Sequence, residues 1–358
     1  MEIIPYMEEN GHEELILRVD ASTGLKTILA IHDTTLGPAM GPPMMARFSS
    51  ESEAISYALG FALNHSLKCA MAGLPFGGGR LVVLGDPAKD KTKALVKSMG
   101  QFVNSLNGRY VLTGGGSGFT SHDTRLFLAE TPHIIGLPSI LGGSDDHAKM
   151  AAYGVFQGMK TCAQEVFGSD SLEGRTIAVS GIGRVGSALV AYLFKAGARL
   201  VVADPDPQKT RDVHQKYQAK VLDTEAIFDI ESDIFSPCAR AYMLTSDTIA
   251  RLNCKIVAGA ANNQLAEGLD GAKKLRERGI LLAPEFVINA GSMINFCSEK
   301  GGYQPELARR KTKNIRQTLE TVFNTARTLN QTPFEAACFL AKQKIEHAKK
   351  KQIQPKSP

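Results

Sequence analysis

Two periodicities of apolar positions alternate along the chain. Leu15-Ile16-Leu17-Arg18-Val19 and the run from Leu25 to His32 are rich in β-formers and flank a turn-like Asp20-Ala21-Ser22-Thr23-Gly24, the pattern of a hairpin. From Ser52 to Ala72 the spacing becomes helical through Ala58, Leu59, Ala62, Leu63 and Leu67. Ser52 and Glu53 are placed to cap and charge its start, and Gly73 to end it. Arg80 to Gly85 then reads as a strand, Lys93 to Leu106 as a helix and Tyr110 to Thr113 as a short strand. A second pattern begins with a helix from Tyr153 to Val166, a strand Arg175 to Ser180, a helix to Ala196 and a strand Leu200 to Ala203. Short apolar runs at Ile234-Phe235, Ile256 to Ala258 and Ile280 to Ala283 follow, separated by helical segments, and everything from Glu306 onward is helical. The alternation predicts an α/β protein: an N-terminal α/β domain, then a doubly wound parallel sheet of the Rossmann type.

Composition narrows this picture. The 358 residues suit two domains at about 150 residues each. With 43% hydrophobic and 22% charged residues, and no apolar run of 18, a soluble globular chain without membrane spans is expected. The net charge of +5 resides in the last 18 residues, where six lysines meet one glutamate. A body balanced to zero lacks the basic stripe that nucleic-acid binding requires, and the tail reads as a solvated helix end. Six scattered cysteines without a CxxC pair read as reduced thiols of a cytoplasmic protein with no metal framework, and the acidic N-terminus carries no secretory h-region.

Glycine is the compositional outlier, 34 residues of 358 against an average of about 7%. Three of them form the GxGxxG of Gly181-Ile182-Gly183-Arg184-Val185-Gly186, which follows a strand, opens a helix and precedes by 18 residues an acidic Asp204 at the end of the next strand. The first glycine permits a tight turn, the second lets backbone approach a pyrophosphate, and the third packs helix on strand. Asp204 suits the ribose hydroxyls and repels a 2′-phosphate, so the expected cofactor is NAD.

Other segments carry a resemblance. Ala30-Ile-His-Asp-Thr-Thr-Leu-Gly-Pro38, Ala72-Gly-Leu with Gly77-Gly78-Gly79, Leu84-Gly-Asp-Pro87, Asn107-Gly-Arg-Tyr110, Ser171-Leu-Glu-Gly174, Gly259-Ala-Ala-Asn-Asn-Gln-Leu265 and Val287-Ile-Asn-Ala-Gly291 span nearly the whole chain. They resemble the Glu/Leu/Phe/Val dehydrogenases, the leucine dehydrogenase branch most closely. The resemblance implies a substrate-binding and dimerisation domain over residues 1–145, an NAD domain over 146–325 and a C-terminal helix over 326–358 packing back on the first. It also implies a homo-oligomer that oxidises an L-amino acid to a 2-oxo acid and ammonia.

The resemblance assigns Lys68 to the substrate carboxylate, supported by Gly41 of a diglycine whose second member is here Pro42, with no N–H. It places Met40, Thr113, Met293 and Phe296 along an apolar pocket, and Ala260, Asn262 and Asn289 beside the cofactor or the substrate amine. At the family's catalytic lysine, which ends a Gly-rich turn, stands Arg80. Where its catalytic aspartate is expected the chain runs Leu112-Thr-Gly-Gly-Gly-Ser-Gly118. Arginine is always protonated and cannot serve as a base. Three readings stay open: a redox enzyme with altered mechanism on an imine or changed substrate, with Arg80 clamping an anion; ordinary deamination through another base, for which His65 and His122-Asp123 are the local candidates; or an NAD-binding partner subunit without activity. Both histidines also read as plain structural side chains.

Overall fold

Residues 2–145 and 147–353 are described by the computed structural model. The chain divides into two compact units, one comprising Met1–Asp145, Asn295–Pro305 and Ala341–Pro358, the other Asp146–Ile294 and Glu306–Leu340.

The first unit opens with a helix that the apolar spacing does not announce, α1 (Ile3–Asn10). Strands β1 (Glu14–Asp20) and β2 (Leu25–Asp33) then form the expected hairpin, with Glu14 opposite Ile31 and Asp20 opposite Leu25. Strands β3 (Ala39–Gly41) and β4 (Pro43–Ala46), helix α2 (Glu51–Ala72) and strand β5 (Gly77–Leu84) come next. Helix α3 (Lys93–Ser105), strand β6 (Tyr110–Thr113), helix α4 (Ser121–Glu130) and strand β7 (Ile134–Ile135) complete the run. The sheet order is β1-β2-β5-β3-β6-β7. Both β3 and β4 run parallel to β5, one after the other, so they are a single course interrupted at Pro42. Lacking an N–H, Pro42 cannot donate to the ladder, and the strand breaks there.

Alternation along β5 sends Val82 to one face and Leu81 and Val83 to the other. Val82 packs with Ile28, Ala58, Leu59 and Ala62 beneath α2. Leu81 and Val83 pack with Leu29, Leu95, Met99, Phe102 and Phe127 beneath α3 and α4. Each of the larger side chains, Val, Leu, Ile, Met and Phe, contributes about 1.5–3 kcal/mol on removal from water.

Two expectations are corrected here. The cap of α2 is Ser50, whose side chain accepts from the Glu53 N–H, while Glu53 turns back to accept from Ser49; Ser52 caps nothing. Gly77 to Gly79 are not a turn but the first three residues of β5, all buried. A Cβ on Gly78 would lie 2.1 Å from the Ala62 carbonyl oxygen and 2.3 Å from the Ser66 nitrogen, so α2 can pack this closely only on glycine.

In the second unit, helix α5 starts earlier than predicted (His147–Phe167) and leads to a six-stranded sheet. Its strands are β8 (Thr176–Ser180), β9 (Arg199–Ala203), β10 (Lys220–Val221), β11 (Ile234–Pro237), β12 (Ile256–Val257) and β13 (Leu281–Leu282). All pairs are parallel, in the order β10-β9-β8-β11-β12-β13. The direction of winding reverses between β8 and β11, which is where such sheets hold a ligand beyond their strand C-termini. Helix α6 (Arg184–Lys195) follows β8 directly.

The last helix, Pro333–Ile353, contributes its residues from Ala341 onward to the first unit. The side chain of Lys344, exposed on this helix, donates through Nζ to the Ala70 and Met71 carbonyls at 3.2 and 3.4 Å, a cation at the C-terminus of α2. Lys356 of the tail lies outside the described residues. Among the described residues no helix is long and apolar enough to cross a membrane.

Candidate active site

In the first unit, α2 and β5 bring Lys68, Arg80 and His65 into one another's fields. Lys68 is 4%, Arg80 5% and His65 2% exposed. The Arg80 guanidinium donates to the Pro42 carbonyl (3.3 Å), to Met44 Sδ (3.2 Å) and to Tyr57 Oη (3.1 Å). It stacks over the rings of Phe61 and Tyr57 at 4.8 and 5.3 Å. Every one of these partners is neutral. Among the described residues Arg80 has no carboxylate partner, and its buried Nε has no hydrogen-bond partner.

His65 Nδ1 lies 2.8 Å from the Gly79 carbonyl. A carbonyl can only accept, so Nδ1 carries the proton and Nε2 keeps its lone pair. Burial first, and then the charges of Lys68 and Arg80, hold the imidazole well below its ordinary pKa. The ring is therefore neutral at pH 7. Gly41 closes this corner: a Cβ there would lie 1.9 Å from the Gly79 oxygen, and its own carbonyl accepts from Tyr110 Oη at 2.7 Å.

Met40 and Thr113 are fully buried, and Thr113 Oγ1 has no partner among the described residues. Beyond Thr113 the glycine-rich segment lies directly on neighbouring backbone. Gly114 N donates to Ile135 O at 2.6 Å and Met45 N to Ser117 O at 2.9 Å. A Cβ on Gly114 would fall 1.8 Å from the Gly136 oxygen, and one on Gly116, with φ +121°, 2.1 Å from the Pro43 oxygen. No side chain, acidic or otherwise, fits at either position in this conformation. His122 stands exposed on the first turn of α4, and its side chain makes no hydrogen bond, ion pair or ring contact among the described residues. Asp123 is committed elsewhere, to the Thr120 capping box and to Lys91 Nζ at 2.8 Å. Burial raises its carboxyl pKa, but the bonds from Lys91 and Thr120 more than offset this and leave it below the usual range.

In the second unit the glycine fingerprint forms the turn between β8 and α6. Gly181 adopts φ +102°, and a Cβ there would meet Ala239 at 2.6 Å. A Cβ on Gly186 would lie 2.0 Å from the Gly181 oxygen. Gly183, by contrast, faces open space and caps α6 without a side-chain bond. The first-turn N–H groups at Arg184, Val185 and Gly186 are thus unobstructed by a capping side chain, and that donor set fits a pyrophosphate. Asp204 accepts from Ile182 N at 2.7 Å and from Asp206 N at 3.0 Å, with Lys209 Nζ 3.7 Å away. Asn289 Nδ2 donates to Ala260 O (3.1 Å) and Asn262 Oδ1 (3.0 Å), and its buried Oδ1 has no hydrogen-bond partner among the described residues. Met293 is buried, 3% exposed.

Tyr57 and Phe61, which hold Arg80, are absent from the sequence-derived site. The signal was present: positions 57, 61, 65 and 68 share one face of α2 at helical spacing. Met44 and the Pro42 carbonyl carried no such signal, because only the pairing of β4 with β5 brings them to Arg80.

Comparison with known proteins adds to this geometry. Residues 14–131 match the model of the Glu/Leu/Phe/Val dehydrogenase dimerisation domain, and residues 142–206 and 203–352 that of the glutamate/leucine/phenylalanine/valine dehydrogenases. A leucine dehydrogenase of Thermoactinomyces intermedius is 42% identical over 98% of this chain and 95% of its own. A phenylalanine dehydrogenase of Lysinibacillus sphaericus is 41% identical over 91% and 87%. Among solved structures, the L-tryptophan dehydrogenase from Nostoc punctiforme superposes with a TM-score of 0.78 at 36% identity, covering 96% of this chain and 99% of its own.

Proposed function

The chain belongs to the Glu/Leu/Phe/Val dehydrogenase family, and from that premise we propose an NAD-dependent oxidoreductase acting on the CH–NH2 or imine carbon of an apolar, amino-acid-like substrate. One observation carries the choice of mechanism: the buried Arg80, fixed among neutral partners, stands where the family resemblance puts a lysine. A guanidinium can orient and stabilise an anion but cannot shed a proton to activate water. Steps that need only substrate positioning and hydride exchange, such as reduction of a preformed imine, survive this substitution.

On this reading Lys68 holds the substrate carboxylate and Arg80 adds a fixed positive charge beside it. His65, kept neutral by burial and by the charges of Lys68 and Arg80, presents an Nε2 lone pair that can accept a hydrogen bond from the substrate. Met40 and Thr113 supply apolar wall. The turn from Gly181 to Gly186 holds the pyrophosphate, Asp204 the ribose hydroxyls, and Asn262 and Asn289 with Ala260 the carboxamide end. When bound, NAD accepts or returns the hydride. The charge on Asp204 favours NAD over NADP. The match to a dimerisation domain supports a homo-oligomer. A cytoplasmic setting agrees with six free cysteines. The lone pair on His65 Nε2 favours one second reading, ordinary deamination of a leucine- or phenylalanine-type substrate with His65 as base.

The test measures NADH oxidation against cyclic imines and against 2-oxo acids with ammonia, alongside NAD reduction against an L-amino-acid panel. Turnover of preformed imines well above amino-acid oxidation is expected. Efficient amino-acid oxidation that His65→Gln abolishes would instead establish the second reading. Micromolar dinucleotide binding with no turnover would identify an inactive partner subunit, and failure to bind either dinucleotide refutes the proposal.

A further inference from the structure

Resting on the reading above, we infer that the Lys68–Arg80–His65 site selects substrates whose C2 substituent is uncharged, a 2-oxo acid, 2-hydroxy acid or neutral imine, and rejects the ammonium form of the amino acid. The argument is one of charge. Arg80 is 5% exposed, and a buried cation is stable only when an anion or a set of dipoles compensates it. Its partners here are a carbonyl, a thioether, a phenol and two ring faces, none with a net negative charge. His65, the next group, is neutral and itself lies in the fields of Lys68 and Arg80.

A substrate carboxylate therefore meets the net positive charge of Arg80, which it satisfies. An ammonium on the adjacent carbon meets the same charge with no carboxylate on Arg80 to receive it. The aromatic faces of Tyr57 and Phe61, the usual alternative for a cation, are already covered by Arg80. The glycine-rich segment contributes no acid either, since Cβ atoms at Gly114 and Gly116 would clash with backbone oxygens. Replacing a C2 ammonium by oxygen removes that repulsion at almost constant shape. Between unit charges about 6 Å apart at an effective dielectric of about 20, the expected penalty is about 100-fold in affinity.

Calorimetric titration of the full-length protein at pH 7 with three probes of one side chain tests this: L-leucine, 2-hydroxy-4-methylpentanoate and 4-methyl-2-oxopentanoate. The oxo and hydroxy acids are expected to bind at least ~30-fold tighter than leucine. Arg80→Met, checked for an unchanged melting profile, should weaken the oxo acid and narrow the gap, whereas Arg80→Lys should keep it. Leucine binding as tightly as the hydroxy acid, or no binding of any probe at millimolar concentration, overturns the inference. An Arg80→Met protein with the gap intact does the same. Because the readout is binding, tight selective binding without turnover leaves this inference standing while the proposed reaction falls. Imine turnover with unselective binding does the reverse.

Discussion

Gly183→Ala separates cofactor binding from folding more cleanly than any other single change. A Cβ at Gly183 meets nothing within 4 Å, and the residue's φ of −73° suits any L-amino acid. Its cost to the fold is the poorer N-cap, about 0.5–1 kcal/mol, which at roughly 2–4 °C per kcal/mol lowers Tm by no more than ~4 °C. The same methyl fills the space over the N-terminus of α6, where a pyrophosphate has to approach the first-turn N–H groups. Loss of one or two charge-assisted hydrogen bonds at about 1.5–3 kcal/mol each weakens dinucleotide binding by at least ~10-fold. Gly186→Ala is the opposite case. Its Cβ would sit 2.0 Å from the Gly181 oxygen, so backbone has to move, at about 1–3 kcal/mol. The assay is NADH fluorescence titration with thermal melts on wild type and both variants. A Gly183→Ala protein that binds NADH within threefold of wild type, or that melts as low as Gly186→Ala, would refute the assignment of this turn to the pyrophosphate.

Gly78→Ala forces α2 away from β5 because the Cβ would lie 2.1 Å from Ala62 O; a loss of about 1–3 kcal/mol is expected in urea melts, together with weaker 2-oxo acid binding through displaced Lys68. His32, 6% exposed and bonded to Ser66 Oγ and Asn10 O, has its pKa lowered to about 4 by burial and then by His12. The unfolded chain binds this proton first as pH falls below about 6.5, so the stability the neutral ring contributes at pH 7 drops by about 2 kcal/mol at pH 5 and continues to fall toward pH 4. His32→Gln should flatten that slope in denaturant midpoints taken at pH 7 and 5, and an unchanged slope would contradict the assignment. Asp204→Ala removes the charge that opposes a 2′-phosphate and leaves Lys209, 3.7 Å from the Asp204 carboxylate, nearby. The ratio of NADP to NAD affinity should rise by at least ~10-fold, as read by competition against NADH.

Much of the candidate dinucleotide turn was legible in the sequence. Strand, glycine turn, helix and acidic residue follow within 30 residues of chain, so local spacing alone places them, and the structure puts β8, Gly181–Gly186, α6 and Asp204 where that spacing predicts. The hairpin and α2 were legible for the same reason; Glu53 lies in the first turn of α2 as expected, while the cap is Ser50, whose side chain accepts from the Glu53 N–H. Short strands such as β3, β4 and β7 escaped prediction because two to four residues carry no period; they exist through pairing with β5 and β6.

The sequence by itself determined the two α/β patterns, the dinucleotide fingerprint and the presence of arginine at position 80. Tertiary structure alone decided what that arginine is. Its partners Pro42, Met44 and Tyr57 lie 38, 36 and 23 residues upstream, and the carbonyl that fixes the His65 tautomer lies on another element altogether. Whether a charge is buried, paired or left without an anion depends on which distant segments pack around it. The same holds for Gly77, Gly78, Gly114 and Gly116, whose lack of side chains acquires meaning only from the backbone oxygens that occupy the space.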